Sequence, residues 1–175
     1  APCSVYVLDK LSEDYDVVGF FYNPNIQPET EYHFRKKELE NIADKNGWDI
    51  IYSGYDIKTW FDVVRGFERE PERGKRCSIC FDLRLRKTFK QAKEQNFELV
   101  ASTLSISPYK NTEQINAVGM SLSQEFKIEF FPENFKKKDG YQIGKKMARE
   151  QGVKHQNYCG CVYSKVEQIL RKRSK

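Results

Sequence analysis

The sequence predicts one α/β domain with three layers, in which helices cover a parallel sheet. Three observations carry this. Short β-rich apolar runs alternate with longer amphipathic segments along the chain. The connections between successive runs are long enough for the crossovers that parallel neighbours need. At 175 residues, with 39% hydrophobic content, the chain can bury one core without a disulfide framework.

Each element follows from local chemistry. Ser4 can cap a short helix running through Glu13, with Val7, Leu8 and Leu11 turned inward. Val17 to Tyr22 is a continuous apolar run of strand length, as in a strand buried on both faces, and Asn23-Pro24-Asn25 stops it with a strong turn signal. A helix is expected from Glu29 to Asn46, with Tyr32, Leu39, Ile42 and Ala43 as its inner stripe. Gly47 is its left-handed stop. Asp49 to Ser53 reads as the second strand and Thr59 to Phe67 as a helix. Glu70 to Lys75, containing Pro71 and Gly74, reads as a loop.

The next helix is expected from Ser78 to Gln95 on the face formed by Ile79, Leu83, Leu85, Phe89 and Ala92. Leu99 to Thr103 gives a third strand and Leu104 to Asn111 a loop. Thr112 is placed as the cap of a helix to Phe126, and a short strand near Ile128 to Phe131 follows. Tyr141 to Gln151 and Val162 to Arg173 complete the helices. In such sheets, functional groups gather at the carboxyl ends of the strands. Here those positions are occupied by 23–26, 53–56 and 105–110.

Net charge is +5, from 30 Lys and Arg against 25 Asp and Glu. The excess is clustered at Arg73, Lys75, Arg76, Arg84, Arg86 and Lys87, at Lys136-Lys137-Lys138, and in the tail from Arg171 to Lys175. Such clusters suit a polyanion such as RNA, or simply a solvated face. No apolar run approaches the ~20 residues needed to span a bilayer, so no membrane partner is expected. The chain starts Ala-Pro-Cys, and its natural start is expected to lie upstream. The odd cysteine number and the lack of any secretion signal favour a reducing cytosol.

Five cysteines fall into three groups, Cys3 alone, Cys77-x-x-Cys80 and Cys159-Gly160-Cys161. Cysteines grouped this tightly point to metal ligation or thiol redox chemistry. Cys77 and Cys80 sit at a loop-to-helix junction beside Arg73, Lys75 and Arg76. The helix terminus and the cations favour thiolate. The pair reads as metal or cluster ligands, a redox dithiol, or plain structural thiols. A disulfide across the single residue Gly160 would be strained and labile, which suits redox cycling, while two metal ligands remain the alternative. His155 is a candidate proton donor or RNA contact.

Several segments together carry a resemblance. They are Ala1-Pro2-Cys3, 21–28 (FYNPNIQP), 76–85 (RCSICFDLRL), 103–110 (TLSISPYK), 135–141 (FKKKDGY) and 156–164 (QNYCGCVYS). In this order the chain resembles the QueH family of epoxyqueuosine reductases over nearly its whole length, as one QueH-type reductase domain across residues 1–175. The resemblance implies a HUP-like (nucleotide-hydrolase-like) form of the three-layer fold. It implies a cytoplasmic enzyme that reduces epoxyqueuosine to queuosine at the tRNA wobble position, the last step of queuosine biosynthesis. The implied partners are tRNA carrying epoxyqueuosine and an electron donor. A 4Fe–4S cluster is expected, with an additional iron in some members. By position, Cys77 and Cys80 would ligate the cluster, Cys159 and Cys161 would be the redox-active pair, and Cys3 would touch the extra iron.

The family pattern also has a first, central strand and two consecutive cysteines before the residues seen here, so the chain is expected to be a fragment lacking them. Tyr109, Lys110 and Tyr141 are candidate proton donors. Asn23 and Asn25 would hold the extruded base, since sequence-specific RNA readers favour unstacked nucleotides. Tyr141 and Lys137 would also contact substrate, and Lys136 to Lys138 with the basic tail would contact phosphates. The rivals from other classes are a zinc-stabilised RNA-binding module using the four paired cysteines, and a thiol–disulfide oxidoreductase.

Overall fold

The computed structural model describes residues 2–173. Its order is α1 (Pro2–Leu11), β1 (Val18–Phe21), α2 (Glu29–Asn46), β2 (Asp49–Tyr52), α3 (Ile57–Val64), α4 (Lys75–Glu94), β3 (Leu99–Val100), a 3₁₀ turn (Thr103–Ile106), α5 (Thr112–Phe126), β4 (Glu129–Phe130), α6 (Gly140–Glu150) and α7 (Val162–Arg173). All strand pairing among the described residues is parallel, as the alternating pattern requires. β1 pairs with β2 from Val18 opposite Asp49 to Phe21 opposite Tyr52, and β3 pairs with β4, Leu99 opposite Glu129.

One continuous sheet is not what forms. Among the described residues there are two separate two-stranded sheets, with a cavity of about 580 Å³ whose walls include both β1 and β3. Each strand therefore has one laddered edge, and β3 and β4 are only two residues long. β1 is correspondingly half-buried over Val18 to Phe20 rather than buried on both faces. The arrangement is consistent with a three-layer α/β fold. Val5 of α1, Ile42 of α2 and Ala148 of α6 share one core cluster. Phe81, Phe89, Ile115 and Leu122 of α4 and α5 share another with Val100 and Phe130.

Several boundaries differ from expectation for identifiable reasons. α1 begins at Pro2 rather than after Ser4; proline lacks an N–H and suits the first helical turn. α3 starts earlier because the Asp56 carboxylate accepts from Thr59 N–H. The cap of α5 is Asn111, whose Oδ1 accepts from Glu113 and Gln114 N–H, and not Thr112. α2 runs over the expected span and ends at Gly47 with φ 67°. α4 starts at Lys75, three residues before Ser78, so Cys77 lies inside its first turn.

α6 lies close against α1 because Gly140, Gly144 and Ala148 recur at i, i+4 and i+8 on its buried face. A Cβ at Gly140 would fall 2.0 Å from the Phe135 carbonyl oxygen and 2.9 Å from the Tyr6 ring. A backbone oxygen cannot swing away as a side chain can. Gly140→Ala should therefore lower stability by about 2–3 kcal/mol, read as a reduced denaturation midpoint with an unchanged slope.

Candidate functional site

The two cysteine pairs, 79 residues apart at their nearest, converge between α3, α4 and α7. Cys80 and Cys161 are both buried, in one cluster with Trp60, Val64 and the partly buried Tyr163. Cys77 and Cys159 are half-buried. A charge on Cys159 would act directly on Cys77, Cys80 and Cys161, so all four sulfurs share one electrostatic neighbourhood.

Donors are aimed at three of these sulfurs. The Trp60 indole N–H points at Cys80 Sγ across 3.3 Å. Arg73 N–H points at Cys77 Sγ across 3.2 Å, and Ser164 N–H at Cys161 Sγ across 3.4 Å. Burial still dominates. It pushes the Cys77 thiol up to about 11 and the Cys161 thiol up to about 12, and it raises Cys80 as well. The expectation that the helix terminus and nearby cations favour thiolate at Cys77 and Cys80 is therefore corrected for the metal-free protein, where burial outweighs both. The guanidinium of Arg76, only 2% exposed, is spent on the Phe67, Glu68 and Glu70 carbonyls and on Glu167. Arg86 is paired with Asp82 and Glu125.

A raised thiol pKa means little nucleophilic thiolate below it. In metal-free protein, alkylation of Cys77 and Cys161 by iodoacetamide should be very slow at pH 8. It should then climb about tenfold per pH unit toward each pKa, where the thiolate fraction saturates. Site-resolved mass spectrometry across pH 7–11 measures this.

A hydrogen-bonded chain ties the Cys159 loop to the segment that precedes Cys77. Cys159 N–H donates to Ser164 Oγ at 2.9 Å, and the Ser164 hydroxyl donates to Glu72 Oε1 at 3.0 Å. Glu72 lies in the loop leading to Cys77. Arg76 bridges to Glu167 of α7 with its guanidinium 4.6 Å from the Tyr163 ring centre. The Cys159–Cys161 loop turns at Gly160, whose φ of 114° is open to glycine.

The large cavity brings Asn23, Asn25, Arg84, Lys110 and Cys159 to common walls. Arg84 lies on the α4 face that carries Cys77 and Cys80. It donates to Asn23 Oδ1 and to the Tyr22 carbonyl. Asn25 is 2% exposed, and its Oδ1 has no partner among the described residues. A smaller cavity of about 80 Å³ is lined by Tyr109, Lys110, Tyr141, His155 and Tyr158. The Tyr141 hydroxyl lies 3.3 Å from His155 Nε2. Lys110 lines both cavities and thus links them.

Of the residues expected at the site, Cys77, Cys80, Cys159, Cys161, Asn23, Asn25 and Lys110 come together. Tyr109 and Tyr141 lie in the adjoining cavity. Lys137 is exposed and lines neither. The Cys3 side chain and Lys175 lie outside the described residues. Trp60, Glu72 and Ser164 were not expected at the cysteines, and Arg73 and Arg84 were expected only as nearby charges, not as a backbone N–H donor to Cys77 and a wall of the cavity. For Arg84 a signal existed, since positions 77, 80 and 84 at i, i+3 and i+7 fall on one helical face.

Among the described residues, no three His, Cys, Asp or Glu side chains are arranged to hold a metal ion. The donor chemistry at Cys77 and Cys80 nonetheless fits an iron–sulfur group, because each sulfur receives an N–H, the feature that stabilises cluster-bound thiolates. These two side chains would provide two ligands of such a group.

A family profile described as epoxyqueuosine reductase QueH matches residues 1–167. Epoxyqueuosine reductase QueH of Streptococcus pyogenes is 39% identical over 170 residues, covering 94% of this chain and 67% of the relative. The Acinetobacter baylyi protein of the same name is 39% identical over 168 residues, covering 94% and 76%. The Thermotoga maritima protein of that name is 34% identical over 180 residues, covering 98% and 94%.

Proposed function

The chain belongs to the QueH family of epoxyqueuosine reductases, which makes it an oxidoreductase, and from this premise we propose that it reduces epoxyqueuosine to queuosine in tRNA by means of an iron–sulfur cluster. The observation that carries the cluster and the relay is the convergence of Cys77, Cys80, Cys159 and Cys161 beside a cavity lined by Arg84 and Lys110. The net change is epoxide plus two electrons and two protons to alkene plus water. When bound, the cluster supplies single electrons to the site.

The chain's own residues do the rest. Cys77 and Cys80 hold the cluster, and the Trp60 and Arg73 N–H groups stabilise negative charge on their sulfurs. Cys159 and Cys161 store two electrons as a dithiol and release them, with two protons, on forming a disulfide. Lys110 gives a proton to the departing oxygen, a role supported by its lining the same cavity as Cys159. Tyr109 is the weaker candidate donor, since it lines only the smaller cavity. Asn23, held by Arg84, and the buried amide of Asn25 offer hydrogen bonds to the modified base. Tyr141 reaches the neighbouring nucleotide, and Lys137 with the basic segments meets phosphates on the exposed surface. Cys3 is proposed as a ligand of an additional iron.

The same reading takes the fold as HUP-like. The two parallel pairs flanking the large cavity support this. The protein acts in the cytoplasm on tRNA, taking electrons from an external donor. None of the described helices is long and apolar enough to cross a membrane.

The test is anaerobic purification with iron, zinc and acid-labile sulfide analysis, followed by incubation with epoxyqueuosine tRNA and a chemical reductant. A brown protein containing iron and sulfide, with queuosine in the nucleoside digest, is the expected result. Zinc without sulfide, or unchanged epoxyqueuosine, overturns the proposal. A protein that exchanges disulfides with other proteins but leaves the epoxide intact would be the thiol–disulfide rival.

A further inference from the structure

We infer that Gln27 is the positioning residue that holds the Cys159–Cys161 loop in its dithiol shape and thereby raises the reduction potential of the pair. The inference rests on the reading of these cysteines as a redox couple. Gln27 is far from both in sequence, yet it grips the loop at three points. Its backbone N–H donates to the Gly160 carbonyl at 2.9 Å. Its side-chain Oε1 accepts from Val162 N–H at 2.9 Å. Its carbonyl accepts from the Tyr158 hydroxyl, also at 2.9 Å. The gripped residues lie before, between and after the two cysteines.

The Gln27 side chain is buried, and its Nε2 has no partner among the described residues. The side chain thus acts on the loop through its oxygen alone. Asn25 also lies close to the loop, its Nδ2 3.1 Å from where a Gly160 Cβ would stand.

The consequence follows from disulfide geometry. Both cysteines are free thiols here. A disulfide holds the two Cβ atoms about 3.8 Å apart, and over one intervening residue the strain of that ring falls on the turn at Gly160. That strain pulls against the Gly160 carbonyl and the Val162 amide, both of which Gln27 holds. The grip therefore favours the dithiol over the disulfide. In the oxidation, Cys159 and Cys161 lose two protons and two electrons as the S–S bond forms. In the assay, oxidised dithiothreitol accepts them and opens to its dithiol.

Two variants separate positioning from packing. Gln27→Met fills nearly the same volume but offers no acceptor to Val162. Gln27→Glu keeps the acceptor. Both retain the backbone contacts. The full chain, purified anaerobically, is equilibrated in dithiothreitol buffers and thiol-trapped for mass spectrometry, and amide exchange at Val162 is followed in the reduced state.

Loss of one buried acceptor corresponds to about tenfold. Gln27→Met should shift the pair about tenfold toward disulfide, which is about 30 mV for a two-electron couple, and should speed Val162 exchange by at least about tenfold. Gln27→Glu should stay near wild type in both. Unchanged Val162 exchange in Gln27→Met, no shift in its thiol equilibrium, or equal shifts in the two variants overturns the inference. If wild type never forms the Cys159–Cys161 disulfide in any buffer, the redox-pair reading falls instead. Val162 exchange then still judges whether Gln27 grips the loop.

Discussion

Cys159→Ser is expected to abolish turnover, by at least about 10³-fold, because residues that act as a unit lose nearly everything when one is removed. The protein should keep most of its iron and acid-labile sulfide. Serine has almost the shape of cysteine, and the Cys159 N–H bond to Ser164 Oγ is a backbone contact that the variant keeps. The sulfur is what changes: a hydroxyl cannot be oxidised to the disulfide, so the pair can no longer release two electrons. Single-turnover reduction of epoxyqueuosine tRNA and parallel iron analysis measure the two effects. The geometry makes the outcome decisive, since Cys159 is near enough to influence both Cys77 and Cys80 electrostatically. If the cluster disappears in this variant, Cys159 is a ligand and not a relay.

Cys80→Ser is expected to behave in the opposite way, with iron and sulfide lost and turnover lost as a consequence. Weakening a metal site's outer contacts alone costs about 10–100-fold in affinity, so removing a ligand sulfur should cost at least about 100-fold. Cys80 is 8% exposed and sits among Trp60, Val64 and Cys161. A hydroxyl there can still accept from Trp60, so the metal-free fold should persist by circular dichroism. Full iron retention in Cys80→Ser would remove this residue from the ligand set. The two serine variants together separate holding the cluster from relaying electrons, which no single variant does.

Much of the fold was readable locally. α2 was legible because its apolar stripe is regular and Gly47 marks the stop. The parallel sense of the strands was legible because helices separate them. The capping of α3 and α5 was legible only in part, since Asp56 competes with Thr59 three residues on and Asn111 stands beside Thr112. The splitting of the sheet was not legible, because pairing depends on which edges meet in space. At the site, the cysteine groups stood out by spacing. Trp60 did not, because an indole in an apolar helix stripe reads as core, and it is core as well as a donor to Cys80. Glu72, Ser164 and Gln27 were hidden for a different reason: the Glu72–Ser164 and Gln27–Val162 contacts join residues 92 and 135 apart in sequence.

The sequence by itself determined the α/β class, the cysteine pairs and the membership of a reductase family, because periodicity, spacing and short motifs are properties of neighbouring residues. Only the tertiary structure decided that the four thiols meet, that burial outweighs nearby cations and raises the Cys77 and Cys161 thiols, and that Gln27 grips the loop between Tyr158 and Val162. Solvation and hydrogen bonding depend on what surrounds a group in space, and here those surroundings come from segments far apart in the chain.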